Sequence, residues 1–71
     1  TDPNPSNGTF QIHNISDVQT IQINDILGKG IVKMTNTKSN ATIVLNEKNG
    51  VYFVKLVYQN GEKVIRKVVI K

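Results

Sequence analysis

Two β-rich runs joined by a short turn constrain this chain more than any other feature. Val51 to Tyr58 reads V-Y-F-V-K-L-V-Y, then comes Gln59-Asn60-Gly61-Glu62, then K-V-I-R-K-V-V-I-K from Lys63 to Lys71. Asn-Gly between apolar runs predicts a hairpin with a type I′ turn, because both residues tolerate positive φ. The runs are rich in Val, Ile, Tyr and Phe, which suit a pleated surface. Tyr52, Val54, Leu56 and Tyr58 share one face of the first arm; Val51, Phe53, Lys55 and Val57 share the other. The face with fewer charges is the inner one. Tyr52, Val54, Leu56, Val68 and Ile70 are therefore expected in the core, with Lys55, Lys67 and Lys71 pointing out. Arg66 breaks the cleaner face of the second arm. Lys71 continues the strand pattern, so the end of the sequence is expected to be docked in the sheet and to be what a receptor reads.

Only one domain fits into 71 residues. A chain this short buries only about 60% of its unfolded surface, so the core is thin. It has no cysteine to staple that core. Nine Val and nine Ile make 18 of the 27 hydrophobic residues β-branched, which disfavours helices and favours strands. No apolar stretch is long enough for a membrane-spanning helix. The start at Thr1, without Met or a signal peptide, is expected of a fragment of a longer protein.

Along the chain, T-D-P-N-P-S-N-G predicts a stiff, extended lead-in closed at Asn7-Gly8. Thr9 to Asn14 alternates, with Phe10 and Ile12 on one face. Ser16-Asp17 marks a turn, and Val18 to Asp25 a strand with Ile21 and Ile23 inward. Asp25 to Gly30 forms a loop and Ile31 to Met34 a short strand. Thr35 to Asn40 is polar and predicts a mobile connection. In Ala41 to Leu45, Ile43 and Leu45 share a face; Asn46 to Gly50 turns into the hairpin. Six or seven short strands separated by turn signals predict an all-β sandwich or small barrel.

The charges are unevenly placed. Residues 1–28 carry Asp2, Asp17 and Asp25 and no Lys or Arg; residues 29–71 carry all nine basic residues against Glu47 and Glu62. Such polarity can orient a domain on a charged partner. Lysines on strand faces and edges also block unwanted pairing.

No catalytic constellation is present. His13, the one histidine, falls on the polar face of a strand, with no cysteine available and no serine evidently paired with it. Asp17 and Asp25 lie at opposite ends of one strand and cannot jointly hold a metal. Gly28-Lys29-Gly30 is only a fragment of a phosphate loop. A pI near 9.6 raises nucleic-acid binding, but single-strand binders interleave basic residues with exposed aromatics. Here Phe10, Tyr52 and Tyr58 read as core, leaving Phe53 beside Lys55. The sequence thus points to no enzyme, cofactor, metal or nucleic acid.

Taken in order, the P-N-P-x-x-G opening, the D-x-x-G-K centre, the G-x-Y-x-x-K strand and the lysine-flanked last strand resemble the type A C-terminal sorting domain of the type IX (Por) secretion system. Pro3, Pro5 and Gly8 match the opening. Asp25, Gly28 and Lys29 match the centre. Gly50, Tyr52 and Lys55 match the penultimate strand, and Lys67 and Lys71 the last. The likeness covers essentially the whole chain; residues 35–40 match no motif.

The resemblance implies an immunoglobulin-like sandwich over residues 9–71, with residues 1–8 as a lead-in from an N-terminal cargo domain. It implies a secretion signal of Bacteroidetes-type bacteria that takes cargo through the periplasm and across the outer membrane to the cell surface or medium. The implied partners are the outer-membrane translocon, its shuttle proteins and a sortase-like cysteine peptidase that removes the domain. Gly28 and Gly50 would serve turns, and Tyr52 would anchor the core. The last strand would offer an edge to a receptor or, weakly, to a second copy. The competing expectation is a structural or carbohydrate-binding sandwich attached to an extracellular enzyme, which needs an exposed aromatic platform.

Overall fold

The alternating runs do become strands, and only strands. In the structure, a computed structural model that describes residues 8–71, the order is β1 (Thr9–Ile12), β2 (Val18–Asp25), β3 (Gly30–Thr35), β4 (Ala41–Val44), β5 (Gly50–Tyr58) and β6 (Lys63–Ile70). Four form one sheet in the order β3-β2-β5-β6, and β1 pairs with β4 in a second. All pairings are antiparallel. The two sheets face each other as a small immunoglobulin-like sandwich.

The core forms where the period of two turns apolar side chains inward from both sheets. Ile21 and Ile23 of β2 and Tyr52, Val54 and Leu56 of β5 meet Ile43 and Leu45 from the small sheet, with Val68 and Ile70 closing the side. The five core positions expected of the hairpin are all buried. Phe10 and Ile12 share the inner face as predicted and are half-buried. Ile15 is fully buried as well, although it lies between strands. The predicted turn at Ser16-Asp17 holds it there, with the Val18 amide donating to the Ile15 carbonyl at 3.0 Å.

Two strands cannot cover four. The small sheet leaves the turn-side end of β5 and β6 open, and a groove of about 670 Å³ runs there between β1 and β6. Arg66 lines it. Its inner-face position is therefore wet, which resolves how a charge is tolerated in that pattern.

Several expectations are corrected. The first strand stops at Ile12, because Asn14 adopts a positive φ of 58° and bends the chain. The hairpin turn is not type I′. Gly61 donates to the Tyr58 carbonyl at 2.9 Å and Tyr58 donates to the Glu62 carbonyl at 2.8 Å. Only Gly61 of the turn has positive φ. That is a type I turn followed by a left-handed glycine bulge; Asn60 instead uses its side-chain oxygen to accept from the Glu62 amide at 2.9 Å. β6 ends at Ile70, so Lys71 lies one residue past the strand, exposed.

The 35–40 connection, expected to be mobile, is tied down. The Asn36 amide donates to the Gln19 carbonyl at 2.9 Å, and the Ile15 amide to Ser39 at 2.9 Å. The Asn36 side chain donates to the carbonyls of Ile15, Val18 and Lys38 at 2.8, 3.0 and 2.9 Å. A polar sequence conceals this bolt, since it is built from long-range backbone acceptors.

Candidate functional site

Strand direction brings distant motifs to one end. β1 starts, β2 ends, β3 starts, β5 starts and β6 ends at the same pole of the sandwich. Gly8, Asp25, Gly28, Lys29, Gly50, Tyr52 and Lys71 therefore gather there. Asp25 stands opposite Tyr52, and Gly50 opposite Ile70. Lys55 and Lys67 lie apart, on the outer face of the four-stranded sheet. Pro3 and Pro5 lie outside the described residues.

The D-x-x-G-K segment is a turn frame. The Asp25 carboxylate accepts from the amides of Leu27 and Lys29, both at 2.9 Å. Gly28 donates to the Asp25 carbonyl and Asp25 to the Lys29 carbonyl, each at 3.0 Å. Gly28, at φ +87°, supplies the left-handed residue. This is the same geometry as the β5–β6 turn, but the tips differ. Gln59-Asn60 occupies the middle of one turn; Ile26 and Leu27 occupy the other, 68% and 88% exposed. That apolar tip escaped the sequence reading. The signal for it was present, as two apolar residues inside a D-x-x-G frame where polar ones are ordinarily placed.

Gly50, expected in a turn, instead opens β5. The Tyr52 ring lies beside it, close enough that a Cβ at position 50 would sit 3.7 Å from the ring. Tyr52 is buried, and its phenol donates to the Lys48 carbonyl at 2.7 Å. The ring thus joins the core to the 46–49 loop. Burial pushes the phenol above its ordinary value near 10, and the carboxylates of Glu47 and then Asp25 add to the shift.

Gly8 is buried at φ +83° and accepts from the Leu45 amide at 2.8 Å. A Cβ there would drive into the Leu45 carbonyl oxygen. The glycine of the opening motif is thus required by the close approach of β1 to β4.

On the outer face, register builds rows. Lys33, Gln22, Lys55 and Ile65 form one row across all four strands; Asn24, Phe53 and Lys67 form the next. Lys63 stands opposite Val57. No Asp or Glu occupies an outward position on any of these strands. Phe53, beside Lys67, is the one exposed aromatic among the described residues, at 36%. A flat aromatic platform for sugars or bases is not formed by them.

His13 hydrogen-bonds the Asn40 side chain at 3.2 Å. Among the described residues, no cluster of His, Cys, Asp or Glu could hold a metal.

A family model described as the secretion system C-terminal sorting domain matches residues 3–71. The chain belongs to this family of type IX secretion sorting domains. No curated protein and no solved structure gives a significant match. Membership makes this domain an export signal, in a family of sorting signals that is not catalytic. It implies attachment to a cargo, contact with the secretion machinery, and export to the cell surface or medium. The motif positions of the sorting domain then divide physically. Gly8, Asp25, Gly28 and Tyr52 shape the pole, while Lys29, Lys55, Lys67 and Lys71 present side chains outward.

Proposed function

We propose that residues 9–71 form one folded label that carries an N-terminally attached cargo through the periplasm and the outer-membrane translocon. Residues 1–8 are the lead-in. Shuttle proteins read the label, and a sortase-like cysteine peptidase then cuts upstream of Pro3. In this reading Gly8, Asp25, Gly28, Gly50 and Tyr52 act by shaping the recognised pole. Lys29, Lys55, Lys67 and Lys71 act by contact, together with Pro3 and Pro5 in the lead-in.

The observation that carries the reading is convergence. Seven of the motif residues, spread from Gly8 to Lys71, meet at one pole beside the β2–β3 turn, as expected of a surface recognised in the folded state. The test fuses residues 1–71 to a periplasm-directed reporter in a strain with a type IX system. The reporter is expected outside the cell, and its retention in the periplasm refutes the proposal. Deleting residues 67–71 removes Lys67, Val68 and Ile70 together and is expected to abolish export.

A further inference from the structure

The lysine-rich outer face of the four-stranded sheet is built for a partner of opposite charge. We propose that this face, centred on Lys55 and Lys67, docks a protein surface that presents carboxylates around apolar side chains. The inference rests on the sorting reading and names which surface is read and by what chemistry.

Charge comes first. Lys33, Lys55, Lys63 and Lys67 project from three strands of one face, and no carboxylate projects beside them. Glu47 and Glu62, the acidic residues of the basic half, sit in connections outside the strands. Four of the nine basic residues thereby share one face of the sheet, with no acid in an outward position on its strands. Lys33, Lys63 and Lys67 stand on the edge strands β3 and β6, where lysines also deter edge pairing; Lys55 stands on β5, an inner strand bonded on both sides, where that role has no use.

Apolar side chains between the lysines supply a second complement. Phe53 pairs with Lys67 and Ile65 with Lys55 in the register, so each ammonium stem flanks an apolar neighbour. Ile65 is 61% exposed and Phe53 36%. A protein face can match this with carboxylates spaced about 4.8 Å from strand to strand and about 6.8 Å from row to row. A second copy of the same face cannot, because it would set four lysines against four. A lipid surface fits poorly, since stable interfacial binding calls for a broad apolar face and Phe53 and Ile65 are the only large exposed apolar side chains here among the described residues.

The experiment compares export of the reporter fused to residues 1–71 in four forms: unchanged, Lys55→Glu/Lys67→Glu, Lys55→Arg/Lys67→Arg, and Lys38→Glu/Arg66→Glu. The last makes the same charge change away from the face. The glutamate pair is expected to lower export about tenfold or more; the arginine pair and the distant pair keep it. Thermal melts check that each variant folds, and Lys55→Gln/Lys67→Gln replaces the reversed pair if that pair melts early. Export of the folded face variant at the unchanged level overturns the inference while leaving the sorting reading intact; loss of export in the unchanged fusion defeats that reading instead. The purified unchanged domain is also spun with phosphatidylcholine vesicles containing phosphatidylglycerol. It is expected to stay in the supernatant, and sedimentation that the glutamate pair abolishes overturns the protein partner in favour of lipid.

Discussion

Replacing Gly8 with alanine and comparing the result with Gly28→Ala separates two penalties that sequence alone merges. Both glycines have positive φ, +83° and +87°. Placing an L side chain in the left-handed region costs about 1–2 kcal/mol. At Gly28 nothing lies within 4 Å of the added Cβ, so that is the whole cost. At Gly8 the Cβ meets the Leu45 carbonyl oxygen. Backbone cannot rotate away as a side chain can, so β1 must move off β4. Separation weakens the Leu45-to-Gly8 hydrogen bond, worth about 1 kcal/mol, and loosens Leu45, only 2% exposed, in the core. The total for Gly8→Ala is then about 3–5 kcal/mol. A domain of this size has roughly 4–11 kcal/mol in all. Urea unfolding followed by circular dichroism reads the difference directly. With a slope of about 1 kcal/mol per molar, the Gly8 variant should melt about 2 M earlier than the Gly28 variant. Midpoints within about half a molar of each other would refute the close-approach argument.

Two further predictions concern polar anchors. Asn36→Ala leaves the Ile15 and Val18 carbonyls without their side-chain donor and is expected to cost about 2 kcal/mol. Asn36→Asp is expected to cost more, because a carboxylate would face those same carbonyls; equal denaturant midpoints for the two variants would contradict the bolt. Tyr52 makes stability depend on alkaline pH. Its folded-state phenol titrates above the unfolded value, so the folded form holds the proton longer. The contribution is complete below about pH 10 and is lost as pH rises through the folded value. Tyr52→Phe should remove that alkaline slope while costing about 1 kcal/mol at neutral pH through the lost bond to Lys48. An unchanged slope in thermal melts between pH 9 and 11 would count against it.

Much of this fold was legible because strand alternation states burial directly. Tyr52, Val54, Leu56, Val68 and Ile70 followed from counting by two, and so did Ile43 with Leu45. Ile15 and Asn36 were not legible, since their environment depends on which distant backbone arrives beside them. Turn chemistry fell between these cases. Asn60-Gly61 correctly announced a hairpin, yet a dipeptide does not choose between a two-residue and a three-residue loop. Asn60 here keeps an ordinary φ and uses its side chain. The motif residues were found as a list; that most of them share a pole came only from strand direction.

The shortness of β1 has a mechanical consequence. Its sheet pairing is four residue pairs against β4, and β4 in turn has β1 as its one sheet partner among the described strands. β5, by contrast, is bonded along both edges. Tension entering at residue 8, from the side where cargo would hang, loads the weakest ladder first. Peeling β1 would leave the β2–β5–β6 slab standing, so a pull from the cargo could bare the inner layer without disturbing the lysines on the opposite surface.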